Sequence, residues 1–203
     1  MLKPYFIYSI KFVLLMFTFG FSMYGTFYSY VEFGIWNIHY FTNQSNLLVF
    51  IVTFLMVFGW DKHRFFNVIA LIALLDILLT GAVYNLLLRD LVVGFSETKL
   101  FIMLVTHTIV PILYTILYLV FVQDKPEISS FKLLLIHPFL YFMVFQITGL
   151  FTNYYPYPFM NPNGGVLKML ITVFLVMTPV LILTGYGLIR LKRYLFDTLK
   201  LEA

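Results

Sequence analysis

The chain has no cysteine among its 203 residues, and only 11% of those residues are charged. The first absence removes disulfides, thiolate metal ligands and a cysteine nucleophile together. The second sets the chain apart from soluble globular domains, where about a quarter of residues are charged. Hydrophobic residues make up 62%. A soluble protein of this length cannot cover so much apolar surface, so lipid must solvate part of it. Familiar signatures are missing too. There is no Gly-x-Ser-x-Gly elbow, no phosphate-binding loop, no dinucleotide fingerprint and no repeat at a fixed period. No Ala-x-Ala cleavage site follows the apolar run behind Lys3 and Lys11, so that run reads as a retained first span. The net charge of +4 does not point to nucleic acid. The basic residues sit at the ends of apolar runs, where they act as topology signals and as anchors to anionic lipid. Neither a nucleic-acid partner nor a cofactor is expected.

What is present is a series of apolar runs near the ~20 residues that cross a bilayer as helix. They cover Phe12–Tyr30, Tyr40–Gly59, Phe66–Leu88, Leu100–Val122, Leu133–Thr152 and Val166–Ile189. The expected fold is therefore an all-α integral membrane bundle of six transmembrane helices, one domain over residues 1–203. The breaks hold Asp61-Lys62-His63-Arg64, Arg89-Asp90, Asp124-Lys125-Pro126-Glu127 and Tyr155-Pro156-Tyr157-Pro158. Trp36 and Trp60 fall at expected interfaces, where amphipathic rings settle. Aromatic residues make up 20% of the chain, too many for two interfacial belts alone. The rest must pack helix on helix or line a pocket.

The basic residues divide unequally between the two sides. Lys3, Lys11, Lys62, Arg64, Lys125, Lys132, Arg190, Lys192, Arg193 and Lys200 share the side of both termini, against Arg89, Lys99 and Lys168, a split of 10 to 3. The positive-inside rule puts both termini in the cytoplasm, with the protein multi-pass in a plasma membrane. Three short segments then face out, Val31–His39, Arg89–Lys99 and Asn153–Gly165. Function must reside within the bundle or at its rim.

Polar residues inside lipid need a reason. Thr42-Asn43-Gln44-Ser45-Asn46 opens the second span, and Thr42, Ser45 and Asn46 share one helix face. That face serves interhelical hydrogen bonding or a site. His107 lies near the outer end of the fourth span with Pro111 at i+4, and proline leaves the carbonyl of residue 107 without its helical donor. At 1.5 Å per residue, Thr42 sits roughly 3 Å and His107 roughly 10 Å below the outer interface. A hydroxyl and an imidazole at similar depth can form a base-activated nucleophile. Tyr84 and Asn85, on the outward-running third span, reach that depth as oxyanion donors or as helix caps. His39, just outside Thr42, can also reach the site, which leaves a metal held by His39 and His107 open, although no third ligand stands at a supporting spacing. Asp76 is the one acid deep in the bundle, either protonated or paired with a hydroxyl or imidazole. His137 is expected near the cytoplasmic end of its span, on the order of 15 Å from His107 along the normal, too far for both to hold one haem iron. The outer run from Asn153 to Pro162 is a proline-stiffened aromatic segment, either a lid on a lipid-accessible pocket or an interfacial belt.

Three of these elements resemble one known family. Tyr40-Phe41-Thr42 opening the second span, His107-Thr108-x-x-Pro111 in the fourth and Tyr157-Pro158-Phe159-Met160-Asn161 after the fifth are similar to motifs of the androgen-induced-gene family of integral membrane threonine hydrolases. The resemblance covers most of the chain in span order. It implies cleavage of fatty-acid esters of hydroxy fatty acids, with Thr42 as nucleophile and His107 as its partner. The polar run Asn43-Gln44-Ser45-Asn46 departs from the animal members and resembles a bacterial branch, with the substrate left open.

The leading expectation is thus an intramembrane hydrolase of lipid acyl esters, entered from the outer leaflet, with an apolar tunnel for the acyl chain. Thr42 and His107 are its catalytic pair. Asn43, Ser45, Asn46, Asp76, Tyr84 and Asn85 are its expected substrate-binding residues, with no metal. Two rivals make other use of the same residues: a proton-coupled carrier running past Asp76 and His107, and a non-catalytic lipid-binding protein.

Overall fold

A backbone in lipid must satisfy its own hydrogen bonds, and helices do so within one segment. The computed structural model describes residues 4–63, 65–91 and 93–199. Lys3, Arg64 and Lys200, counted above for orientation, lie outside the described residues. Among the described residues the chain is all-helical, without strands. The long helices are α1 (Pro4–Phe33), α2 (Phe41–Val57), α3 (Phe66–Val83), α4 (Glu97–Phe121), α5 (Ile128–Thr152) and α6 (Val166–Leu199). Five are long and apolar enough to cross a membrane, and α2, with 17 residues, is a shorter apolar helix. Large apolar side chains on their outer faces, such as Phe151 at 85% and Leu150 at 76% exposure, need lipid around them.

The core is made chiefly by the first four helices. Val49, Val52, Leu74, Ile77, Val105, Tyr114 and Leu117 are sealed within it. Half of the span in α3 is buried and 44% of that in α4, against 11% in α6. Thus α3 and α4 are central, while α5 and α6 flank the bundle.

Helix α6 is held by a buried cation. The last carbonyls of a helix have no internal donor and carry partial negative charge. Lys192 is only 2% exposed, and its ammonium donates to the carbonyls of Tyr118, Leu119 and Val122 at the end of α4. Lys192→Met should therefore lower stability by about 2 kcal/mol. Detergent-phase thermal unfolding measures this, and an unchanged midpoint would count against the carbonyl cap.

Helix α5 departs from the expected depth. Its first turns, up to Leu134, climb into the bundle before the helix re-forms at Ile136 beyond a break at Leu135. Leu134 packs on Gly185, well within α6, where an added Cβ would come within 2.9 Å of it. His137 therefore does not sit at the cytoplasmic end of a span. It meets Gln44, in the first turns of α2, and Asp76 of α3.

Candidate active site

Proline at position 111 and two asparagines set the position of His107. Val105–Ile109 is a π-helical turn within α4, in which the Val110 N–H bonds the Val105 carbonyl. The wider turn leaves the Thr106 carbonyl without its usual partner, and Pro111 cannot serve the His107 carbonyl. Asn46 Nδ2 donates to the first at 3.1 Å and Asn85 Nδ2 to the second at 3.0 Å. Gly81 permits the close approach of α3, since a Cβ there would stand 3.1 Å from the His107 carbonyl oxygen.

The imidazole's tautomer follows from its neighbours. His107 Nδ1 lies 2.9 Å from the Met103 carbonyl, an acceptor only, so Nδ1 carries the hydrogen. Nε2 is then an unprotonated acceptor, and Thr42 Oγ1 lies 3.2 Å from it. Thr42 can donate its hydroxyl hydrogen directly to the ring. The Thr106 hydroxyl also lies 2.9 Å from Nδ1 and donates to the Ile102 carbonyl at 2.8 Å. Tyr84 stacks on the other side of the pair, ring centroid 4.0 Å from that of His107. His107 is thus fixed in place with one nitrogen free for Thr42.

Thr42, Tyr84 and His107 all lie on the wall of a cavity of about 440 Å³, within the ~300–1,000 Å³ of small-molecule sites. Helix α3 contributes Leu79, Thr80 and Val83, α5 contributes Leu135, Ile136 and Phe142, and α6 contributes Val173, Phe174 and Met177. Tyr157, Phe159 and Met160 line it from the segment between α5 and α6. Each of the π-helical turns at Tyr84–Leu88, Val105–Ile109 and Ile171–Met177 supplies wall residues. A π turn inserts one residue per bulge and re-aims its side chains, which is why such turns recur at functional sites. Among the described residues, Lys132 is the one lysine or arginine on an otherwise largely apolar wall.

Most of the other polar residues hold the bundle and do not line this cavity. Asn43 donates to the Asn37 carbonyl at 2.7 Å and accepts from the Ser29 hydroxyl at 3.0 Å, tying α2 to α1 and to the outer connector. Ser45 donates to the Phe41 carbonyl and accepts from Thr80 of α3. Both side-chain N–H groups of Asn46 are taken by the carbonyls of Thr42 and Thr106. Asn85 Nδ2 serves the carbonyls of Gly81 and His107. Asn43, Ser45, Asn46 and Asn85 are accordingly corrected from substrate contacts to scaffold, because they bond the bundle and none of them lies on the cavity wall. Of the polar run Thr42-Asn43-Gln44-Ser45-Asn46, only Thr42 reaches the cavity, beside Phe41.

Asp76 is also turned away. It is fully buried, with Oδ2 2.7 Å from His137 Nδ1, and it is not on the cavity wall. His137 Nε2 lies 3.1 Å from Gln44 Oε1, while Gln44 Nε2 donates to the Ile38 carbonyl at 2.9 Å. His39 does not join His107; its ring packs on Trp36, Phe145 and Tyr154, and its carbonyl accepts from Tyr141.

The segment between α5 and α6 lies against the site. Gln146 Nε2 donates to the Met160 carbonyl at 2.8 Å, and Tyr155 fills the space beside Gly149, where a Cβ would fall 2.2 Å from its ring. These contacts set Tyr157 on the cavity wall with Phe41 and Thr42, its ring against those of Tyr40 and Tyr141. Sequence reasoning did not single out Tyr157. Its signals were its place in a tyrosine- and proline-rich run and at the head of the Tyr157-Pro158-Phe159-Met160-Asn161 motif, and neither gave it a role. The chain matches no protein-family model, no curated protein and no solved structure.

Proposed function

We propose that the protein is an intramembrane hydrolase of lipid acyl esters. One observation carries this reading: a threonine hydroxyl faces the unprotonated nitrogen of a fixed histidine at the wall of an apolar cavity. In the proposed reaction Thr42 Oγ1 attacks the ester carbonyl carbon while its proton passes to His107 Nε2. The carbonyl electron pair moves onto oxygen. Collapse of this intermediate breaks the bond to the alcohol oxygen, which takes the proton from His107. Water then attacks the acyl-threonine, giving one proton to His107 and releasing the acid. That proton returns to Thr42.

The resemblance to the androgen-induced-gene hydrolases supports the same pair, and with it fatty-acid esters of hydroxy fatty acids as the substrate class. Lys132 on the cavity wall is a position suited to the free carboxylate of such a molecule. We assign α2 as a sixth span and both termini to the cytoplasm, on the count of basic residues, which places the ester site in the outer half of a bacterial cell membrane. The direct test is activity-based labelling. An alkyl fluorophosphonate should modify the detergent-solubilised protein at Thr42, located by peptide mass spectrometry. Label on a different residue, or none, counts against this reading.

A further inference from the structure

An ester hydrolase must hold the charge that develops on the carbonyl oxygen. Of the residues expected to bind substrate, Asn43 and Asn46 serve the bundle, and Asn85, an expected oxyanion donor, serves the His107 carbonyl. Thr42 stands in the first turn of α2, where backbone N–H groups have no intrahelical acceptor. The Tyr40 carbonyl accepts from the N–H groups of Asn43 and Gln44, and the helix has no side-chain cap. Over this turn lies Tyr157, its ring against those of Tyr40 and Tyr141 and its side chain on one cavity wall with Phe41 and Thr42, and the N–H groups of Phe41 and Thr42 favour negative charge on its hydroxyl. The Tyr157 side chain therefore shares the cavity wall with the nucleophile, its base and the first turn of α2.

We propose that Tyr157 is a catalytic residue: its hydroxyl, with the Thr42 N–H, forms the oxyanion site of the reaction, and its resting position marks where the ester oxygen binds. This rests on the hydrolase reading above. When an ester enters, its carbonyl oxygen takes the place of the phenol oxygen as acceptor for the N–H. The phenol then draws back by about one hydrogen-bond length and donates its O–H to that same oxygen. No proton is transferred in the exchange. Burial pushes the Tyr157 hydroxyl up to about 12, so the donor hydrogen is present at neutral pH. The ring is held for this motion between Tyr40, Tyr141 and Phe159, with Phe159 stacked at 5.3 Å, and Pro156 and Pro158 stiffen the chain on either side.

The test is Tyr157→Phe in the full-length protein, which keeps the packed ring and removes only the hydroxyl. An unchanged thermal midpoint establishes that it folds. Loss of one oxyanion donor should lower kcat for a p-nitrophenyl acyl ester by about 10²- to 10³-fold with KM nearly constant. A long-chain alkyl trifluoromethyl ketone, which forms a tetrahedral oxyanion on Thr42, should bind the variant weaker by a similar factor. The matching alcohol, which forms none, should bind both proteins alike. Full turnover in Tyr157→Phe, or a raised kcat/KM, overturns the donor role; the second result would make the hydroxyl a plug. Failure of the wild type to bind the ketone or turn over the ester at all would instead remove the hydrolase reading beneath it.

Discussion

His107→Ala should lower kcat for an acyl ester by roughly 10²- to 10⁴-fold, the range contributed by a positioned general base, and Thr42→Ala should cost at least as much. The double variant should be no slower than Thr42→Ala alone, because the two side chains act as one unit and their effects do not add. The geometry gives the reason. Thr42 has one hydroxyl hydrogen, and the His107 nitrogen 3.2 Å away is its acceptor. Removing the ring leaves an alcohol whose proton has no base to go to. Thr42→Ser keeps the oxygen and should retain most of the turnover. His107 is buried, so each variant must be shown to keep its thermal midpoint before rates are compared. Steady-state kinetics on purified protein decide the matter. Persisting turnover in either alanine variant would move the chemistry to other residues.

The pairing of Thr42 with His107 was legible because each depends on one helix and one count of residues from the same interface. The freed carbonyl at residue 107 was legible as well, since proline four residues on must leave it without its donor. The identity of the group that fills it was not, because Asn85 lies on another helix and its role depends on Gly81 letting that helix approach. The four polar residues after Thr42 show the same limit. The spacing of Ser45 and Asn46 put them on one face with Thr42, turned into the bundle. Only the packing says that Asn43 meets α1, Ser45 meets α3 and Asn46 meets α4. His137 was misplaced for another reason: counting depth along a span assumes an unbroken helix that starts at the surface, and α5 breaks at Leu135 after entering the bundle. Tyr157 gave no depth signal at all, since a loop has no fixed rise per residue.

Breaking the pair of Asp76 and His137 should destabilise the bundle more than losing the whole of it. The Gln44 amide points its N–H at the Ile38 carbonyl, so its oxygen faces the ring and His137 Nε2 carries a hydrogen. One further proton then lies between Asp76 Oδ2 and His137 Nδ1, 2.7 Å apart, joining α3 to α5. His137→Leu removes that partner and leaves a fully buried carboxyl with neither oxygen satisfied, since Oδ1 already has no partner among the described residues. The cost should be about 3 kcal/mol. Asp76→Leu should cost less, because the His137 side chain is 25% exposed and keeps Gln44. The double leucine variant should be more stable than the two single losses predict, by about 1–3 kcal/mol, and no worse than His137→Leu. Unfolding of the four proteins in one detergent gives the cycle, and strict additivity would dissolve the pair. The same variants separate the hydrolase from the carrier. As a strut between α3 and α5, off the cavity wall, Asp76 should change the melting temperature of Asp76→Leu while ester turnover at a temperature where it is folded stays within about a few fold. A carrier that runs protons through Asp76 would instead lose flux in proteoliposomes at every temperature, with the fold intact.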